Sequence, residues 1–155
     1  MLKTLSCGVV LLMSGTGTCF AEKPHGPTPL VVNVSVGNED GGMQFSPGHF
    51  TFERGKYYKL VITNPSPDEH YFTSDAFATH IFTRKVEVMD RSGQTLAEIH
   101  GDINDLELKP GARVEWYFYP MTNGENLKLF CHKEGHEAAG MVGSINIVGK
   151  APFSP

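Results

Sequence analysis

The chain is a succession of short apolar, β-branched and aromatic segments separated by turn residues. Nine segments of three to seven residues have the composition or the alternation that is typical of β-strands. Turn sequences such as Ser46-Pro47-Gly48 and Asn123-Gly124 separate them. The pattern predicts an all-β sandwich. The predicted strands are Leu30 to Val36, His49 to Glu53, Tyr57 to Thr63, Lys85 to Met89, Thr95 to Ile99, Leu106 to Leu108, Arg113 to Tyr119, Leu127 to Cys131 and Ser144 to Val148.

One segment has a helical pattern instead. Ser74 is a favourable N-cap residue, and the residues after it up to Phe82 are compatible with a short helix. We expect this helix to be an insertion beside the sheet.

Alternation along one predicted strand indicates where a cysteine lies. Side chains of a strand point alternately to its two faces, so Leu127, Leu129 and Cys131 share one face. The same rule places Trp116 in the core. Cys131 therefore ends an inward-facing row, where low solvent access favours a metal–thiolate bond over oxidation.

The segment after this strand carries three metal-binding side chains. Cys131, His136 and Met141 are spaced five residues apart and offer a thiolate, an imidazole and a thioether. Residues five apart on a helix point about 140° apart, so the spacing favours a loop. Gly135 and Gly140 precede the second and third of these residues and allow tight curvature. Soft sulfur favours Cu(I) and nitrogen favours Cu(II), so the set predicts a type 1 copper site.

A fourth ligand has to come from elsewhere in the chain. His70 follows the proline-rich corner after Thr63, which would place it at one end of the sandwich beside the loop. His80, in the predicted helix, is the alternative. Asn64 is a candidate for a hydrogen bond that links the two loops.

The other histidines are weaker candidates. His25, His49 and His100 lie in segments typical of solvated polar residues. His132 should point away from the side on which Cys131 lies. It forms an i, i+4 pair with His136, but the intervening Glu and Gly do not fit a zinc-binding helix.

The N-terminus has the pattern of a secretory signal peptide. Lys3 precedes an apolar stretch, and cleavage after Ala21 is expected. Residues 1–21 would be removed together with Cys7 and Cys19, leaving a single domain over residues 22–155 with one cysteine, in the periplasm. Lipidation of Cys19 is the alternative.

Composition excludes several classes of partner. Removal of Lys3 leaves 12 basic and 17 acidic residues without a basic cluster, so nucleic acid is not expected as a partner. No apolar stretch is long enough for a membrane span of about 20 residues. We expect a monomer.

The run Cys131-x4-His136-x4-Met141-Val-Gly, together with Asn64-Pro65 and His70, resembles the cupredoxins. This resemblance implies a Greek-key β-sandwich with one type 1 copper. Cys131, His70 and His136 would form the trigonal plane, Met141 would be the axial ligand, and electrons would pass through the His136 edge. Segments such as Tyr57 to Pro65 also resemble small periplasmic cupredoxins associated with bacterial copper tolerance.

The resemblance leaves the role of the site open. The protein would be no enzyme but would cycle Cu(I)/Cu(II) in one-electron transfer, and its first candidate role is copper tolerance with periplasmic copper ions as its target. The alternatives are a dedicated electron shuttle to a haem or copper partner and non-redox copper sequestration. Tyr71 stands where azurin-like members have Asn, so we expect the hydrogen bond to the thiolate to come from another residue, with Asn64 as the candidate.

Overall fold

A computed structural model describes residues 26–150. The predicted signal peptide, Cys7, Cys19 and His25 lie outside these residues, so the processing of the N-terminus stays a prediction. The described part has eleven strands and one helix. In chain order they are β1 (Leu30–Val36), β2 (Phe45–Ser46), β3 (His49–Glu53), β4 (Tyr58–Thr63), β5 (His70–Thr73), α1 (Asp75–His80), β6 (Ile81–Met89), β7 (Thr95–Ile99), β8 (Asp105–Leu108), β9 (Arg113–Pro120), β10 (Gly124–Phe130) and β11 (Val142–Val148).

The strands form two sheets that pack face to face. One sheet has the order β2-β1-β4-β9-β6-β7 and the other has the order β3-β11-β10-β5-β8. Most neighbouring strands are antiparallel, whereas β1 with β4 and β3 with β11 are parallel. The predicted β-sandwich is therefore confirmed.

The core between the sheets is rich in aromatic rings. Trp116 and Phe118 of β9 are 1% and 0% exposed, as the alternation along that strand predicts. Phe77 of α1 is fully buried and contacts Trp116 with 5.7 Å between ring centroids. The indole N–H of Trp116 donates a hydrogen bond to Thr83 Oγ1 at 3.1 Å, so its polar atom is satisfied inside the core. The helix thus closes one side of the sandwich.

The predicted short helix is present beside the sheets, between two strands of the sandwich. The residues before it form β5, which pairs with β8 over four residues and lies between β8 and β10. The helix runs only from Asp75 to His80, and β6 begins directly after it at Ile81. Ser74 makes no side-chain cap hydrogen bond, because its Oγ donates to the carbonyl of Lys128 at 2.6 Å. No helix within residues 26–150 is long and apolar enough to cross a membrane.

Candidate metal centre

Three donor side chains converge at one end of the sandwich. His70 is the first residue of β5, Cys131 directly follows β10, and His136 lies in the loop between β10 and β11. Nδ1 of His70 lies 3.2 Å from Nδ1 of His136, and Sγ of Cys131 lies 3.4 Å from the same His136 nitrogen. The three side chains are 0%, 0% and 6% exposed. They could hold one metal ion, since their donor atoms all lie within 4.8 Å of one another.

The loop after β10 folds as a series of turns, which confirms the loop prediction. The N–H of His136 donates to the carbonyl of Lys133 at 3.0 Å, and Gly135 has a φ of +82°. Gly140 also has a positive φ, of +100°. These left-handed conformations strain residues that carry a Cβ. The two glycines therefore supply the curvature that the five-residue spacing requires.

Backbone hydrogen bonds bring Met141 back to the start of the loop. Its N–H donates to the carbonyl of His136 at 2.9 Å, and its carbonyl accepts from the N–H of Cys131 at 3.2 Å. The side chain is fully buried in the hydrophobic core. The loop is thus closed by its own backbone, and the side chain that ends it lies in the core.

A glycine that sequence analysis missed holds the ring of His70 in place. Gly37 follows β1 with a φ of +74°, and a Cβ at this position would lie 2.5 Å from Nε2 of His70. The ring can pack against this backbone only because no side chain is present. The glycine directly after a predicted strand was the available signal, but its proximity to His70 depends on the tertiary fold.

The thiol of Cys131 receives a hydrogen bond from an unexpected donor. The backbone N–H of Tyr71 donates to Sγ at 3.3 Å. The prediction that another residue, with Asn64 as candidate, would provide this bond is therefore wrong. A main-chain donor does not depend on the side chain, so Tyr71 serves as well as Asn at this position.

Asn64 instead organises the corner that leads to His70. Its amide nitrogen donates to the carbonyls of Asp68 and Leu108, both at 2.8 Å, and its side-chain oxygen accepts from the N–H of Ser66 at 2.9 Å. These bonds tie the corner to the end of β8. Asn64 thereby fixes the residues that precede His70 in the chain.

The remaining histidines of the described segment lie outside this cluster. Nδ1 of His80 is 2.6 Å from the carbonyl oxygen of Ala76 within α1, so His80 does not join the group. His49 and His100 are exposed, as expected. His132 is also exposed, and its Nε2 lies 3.0 Å from a carboxylate oxygen of Asp105.

The electrostatics of the cluster suit a metal cation. Burial lowers the pKa of His70, and the neighbouring His136 lowers it further, against the opposing effect of Asp68. Burial and then Lys133 lower the pKa of His136. Both imidazoles are therefore neutral at pH 7 and offer lone pairs. Nε2 of His70 is buried and has no hydrogen-bond partner among the residues that the structure describes.

The sequence comparisons identify the family. Residues 32–148 match the copper-binding proteins of the plastocyanin/azurin family. A plastocyanin from Sambucus nigra is 28% identical over 116 residues, which are 75% of this chain and 99% of that protein. The chain belongs to the plastocyanin/azurin family of copper-binding proteins, which confirms the cupredoxin resemblance.

The structural comparisons agree with this fold. A dithionite-reduced auracyanin from Roseiflexus castenholzii superposes with a TM-score of 0.50 at 16% identity, covering 77% of this chain and 97% of the other. A multicopper oxidase from Campylobacter jejuni gives 0.57 at 15% identity, covering 81% of this chain but 31% of the other. Family and donor set together support a copper-binding electron-transfer protein with one type 1 copper.

Proposed function

We propose that the protein is a one-electron carrier whose copper is held by His70, Cys131, His136 and Met141. The observation that carries this proposal is the convergence of two imidazole nitrogens and one sulfur in a buried cluster. Burying nitrogen and sulfur atoms that face one another costs free energy unless a shared proton or a bound cation compensates for the lost hydration. The soft sulfur and borderline nitrogen donors are those that copper prefers in both oxidation states.

The residues of the site would hold the copper, shield it from water and adjust its reduction potential. Copper, when bound, supplies a Cu(II)/Cu(I) couple. Burial of His70, Cys131 and Met141 excludes water, and the N–H of Tyr71 withdraws electron density from the sulfur of Cys131. Four protein donors leave no open position for a substrate, which supports electron transfer rather than catalysis.

His136 would be the exit for the electron. It is the most exposed of the four residues, at 6%, and the neighbouring loop residues Ala138 and Ala139 are exposed. A partner that docks on this small apolar surface would approach the imidazole edge closely. Electron exchange would then need no movement of the loop.

The partner would be a redox protein with a haem or copper centre and a basic surface. Four exposed acidic residues lie in the loops at the metal end, and they form no salt bridge with the described residues. Such charges steer a cationic partner and speed its association at low salt. These residues are Glu39, Asp40, Asp68 and Glu134.

The cellular role that we propose is periplasmic, with a contribution to copper tolerance. The predicted signal peptide supports export, and the likeness of Tyr57 to Pro65 to tolerance cupredoxins supports the role. A deletion strain should therefore grow poorly under rising copper and recover with the wild-type gene but not with Cys131→Ser. A respiratory defect at low copper would instead point to a dedicated shuttle.

The biochemical test uses the purified protein and one variant. We expect one copper per chain, an intense visible band from thiolate-to-Cu(II) charge transfer, and a reversible one-electron titration. Cys131→Ser should abolish the band, because the thiolate is its source. Copper that binds without a visible band in the wild type would favour sequestration, and a band that persists in Cys131→Ser would refute the ligand assignment.

A further inference from the structure

The strands that carry Tyr71 and Cys131 separate where the sulfur takes its hydrogen bond. β5 and β10 are paired only at Thr73 and Phe130. Continuing this antiparallel register would set Phe72 opposite Cys131 and Tyr71 opposite His132. The N–H of Tyr71 donates to Sγ instead. The sheet is therefore open at the point where the thiolate needs a fixed donor.

His132 bridges this opening on the outer face of the sheet. Its ring packs on the ring of Tyr71, with centroids 3.9 Å apart and planes at 44°. The two side chains share a face because opposite residues of an antiparallel pair do so. The contact joins the end of β10 to β5 where no ladder hydrogen bond does.

A carboxylate on the next strand anchors the same imidazole. Nε2 of His132 lies 3.0 Å from Oδ2 of Asp105 at the start of β8. The other carboxylate oxygen of Asp105 accepts a hydrogen bond from Thr73 Oγ1, its register partner on β5. The imidazole thus spans three strands, β10, β5 and β8, and Asp105 fixes its position.

We propose that His132 is a positioning residue that holds the Tyr71 N–H on the sulfur of Cys131. The sequence pattern assigns His132 no role, and its exposed side chain does not reach the donor cluster. It acts through Tyr71, since it closes β5 against the end of β10. The effect of His132 on the reduction potential of copper rests on the proposed function. Its effect on the position of the Tyr71 N–H does not.

Loosening the hydrogen bond to the sulfur should shift the reduction potential of the copper in one direction only. A hydrogen bond to the sulfur stabilises the reduced site more than the oxidised site, because more negative charge stays on the sulfur when copper is Cu(I). Loosening this bond should lower the reduction potential. A residue that merely stabilised the fold would leave the potential unchanged.

The test compares His132→Ala with His100→Ala. His100 is a matched control, because it is also an exposed histidine whose Nε2 lies 2.8 Å from a carboxylate, that of Glu98. In copper-free protein, His132→Ala should speed hydrogen exchange of the Tyr71 amide roughly tenfold. In copper-loaded protein, it should lower the potential. His100→Ala should change neither.

Several results would decide against the proposal. Unchanged exchange at Tyr71 in His132→Ala would overturn it whether or not copper binds. Faster exchange with an unaltered potential would overturn the assigned role at the sulfur.

If His132→Ala weakens the whole fold, a second variant separates the two effects. His132→Phe keeps a ring on Tyr71 and should restore part of the protection of the Tyr71 amide. Failure to restore any protection would mean that the first variant acts by general destabilisation, which would overturn the proposal. Wild-type protein that binds no copper would refute the proposed function alone.

Discussion

Gly37 and the imidazole of His70 are in such close contact that a Cβ on Gly37 would lie 2.5 Å from Nε2 of the ring. The same Cβ would lie 2.7 Å from Cβ of Ser66. Both the ring and the corner before it therefore pack directly on the backbone that follows β1. The backbone of a glycine 33 residues earlier in the sequence therefore contacts the His70 ring on the side opposite to the donor cluster.

Gly37→Ala should weaken copper binding by displacing His70. Gly41→Ala is the matched control, because Gly41 has a similar φ of +79° but no atom of residues 26–150 lies within 4 Å of its hypothetical Cβ. Both variants should lose about 1 kcal/mol from backbone strain. Gly37→Ala should lose a further ~1–3 kcal/mol from overpacking, and it alone should lower copper affinity in a competition titration. Equal affinities for the two variants would contradict this role of Gly37.

Acid stability should depend on Glu115 in β9. Burial raises its pKa, but hydrogen bonds from Arg113, Lys59 and Tyr117 more than offset this and hold the pKa at about 2. Because the folded pKa is lower than the ordinary value of 4.5, the charged carboxylate stabilises the fold above about pH 4.5. This stabilisation, up to about 3 kcal/mol, should be lost as the pH falls from 4.5 towards 2.

Urea unfolding of Glu115→Gln tests this expectation. The variant should be less stable by about 1–3 kcal/mol at pH 7, and the difference from the wild type should shrink as the pH falls towards 3. Glu125→Gln is the control, since Glu125 is exposed and forms no salt bridge with the described residues. The same acid dependence in Glu115→Gln as in the wild type would show that this carboxylate is not responsible.

Local sequence patterns were enough to predict the strands, the buried cysteine and the ligand loop. The period of two placed Cys131 at the end of a buried row, and the five-residue spacing placed His136 and Met141 in a loop. The boundaries of β1, β3 and β7 agree with the predicted ones because turn residues lie close to both ends of each strand. The β-sandwich followed from these elements.

The features that were missed depend on tertiary contacts. β5 has four residues, too few for its sequence pattern to predict a strand, and it is held in the sheet by β8 and, at one residue pair, by β10. The Tyr71 donor is a backbone N–H, which no side-chain pattern reveals. The role of Gly37 depends on a contact with a ring that is distant in sequence. In each case the determining partner lies on another element.

Replacing His70 should open the metal site, whereas replacing His80 should not. His70→Ala removes a buried nitrogen that faces His136, so added imidazole should fill the gap and restore the visible spectrum. His80→Ala removes a ring that lies beside the Ala76 carbonyl and should leave the Cu(II) spectrum unchanged. The spectra of both variants, with and without imidazole, check this. Rescue by imidazole in His80→Ala instead would transfer the ligand role to α1.

Met141→Leu should keep copper but raise the reduction potential. Leucine has a similar volume, so the fully buried position should tolerate it at a cost below about 1.5 kcal/mol. A weak axial thioether contributes little to binding, but it donates electron density that stabilises Cu(II). Its loss should therefore favour Cu(I).

The control for this change is Met121→Leu, because Met121 is 50% exposed on the turn after β9 and should not affect the couple. Redox titration of both variants gives the comparison, and urea unfolding of the copper-free proteins separates packing from metal effects. A Met141→Leu protein that folds normally but binds no copper would show that the thioether is a main ligand. Copper held with an unchanged potential would show that Met141 acts only as part of the core.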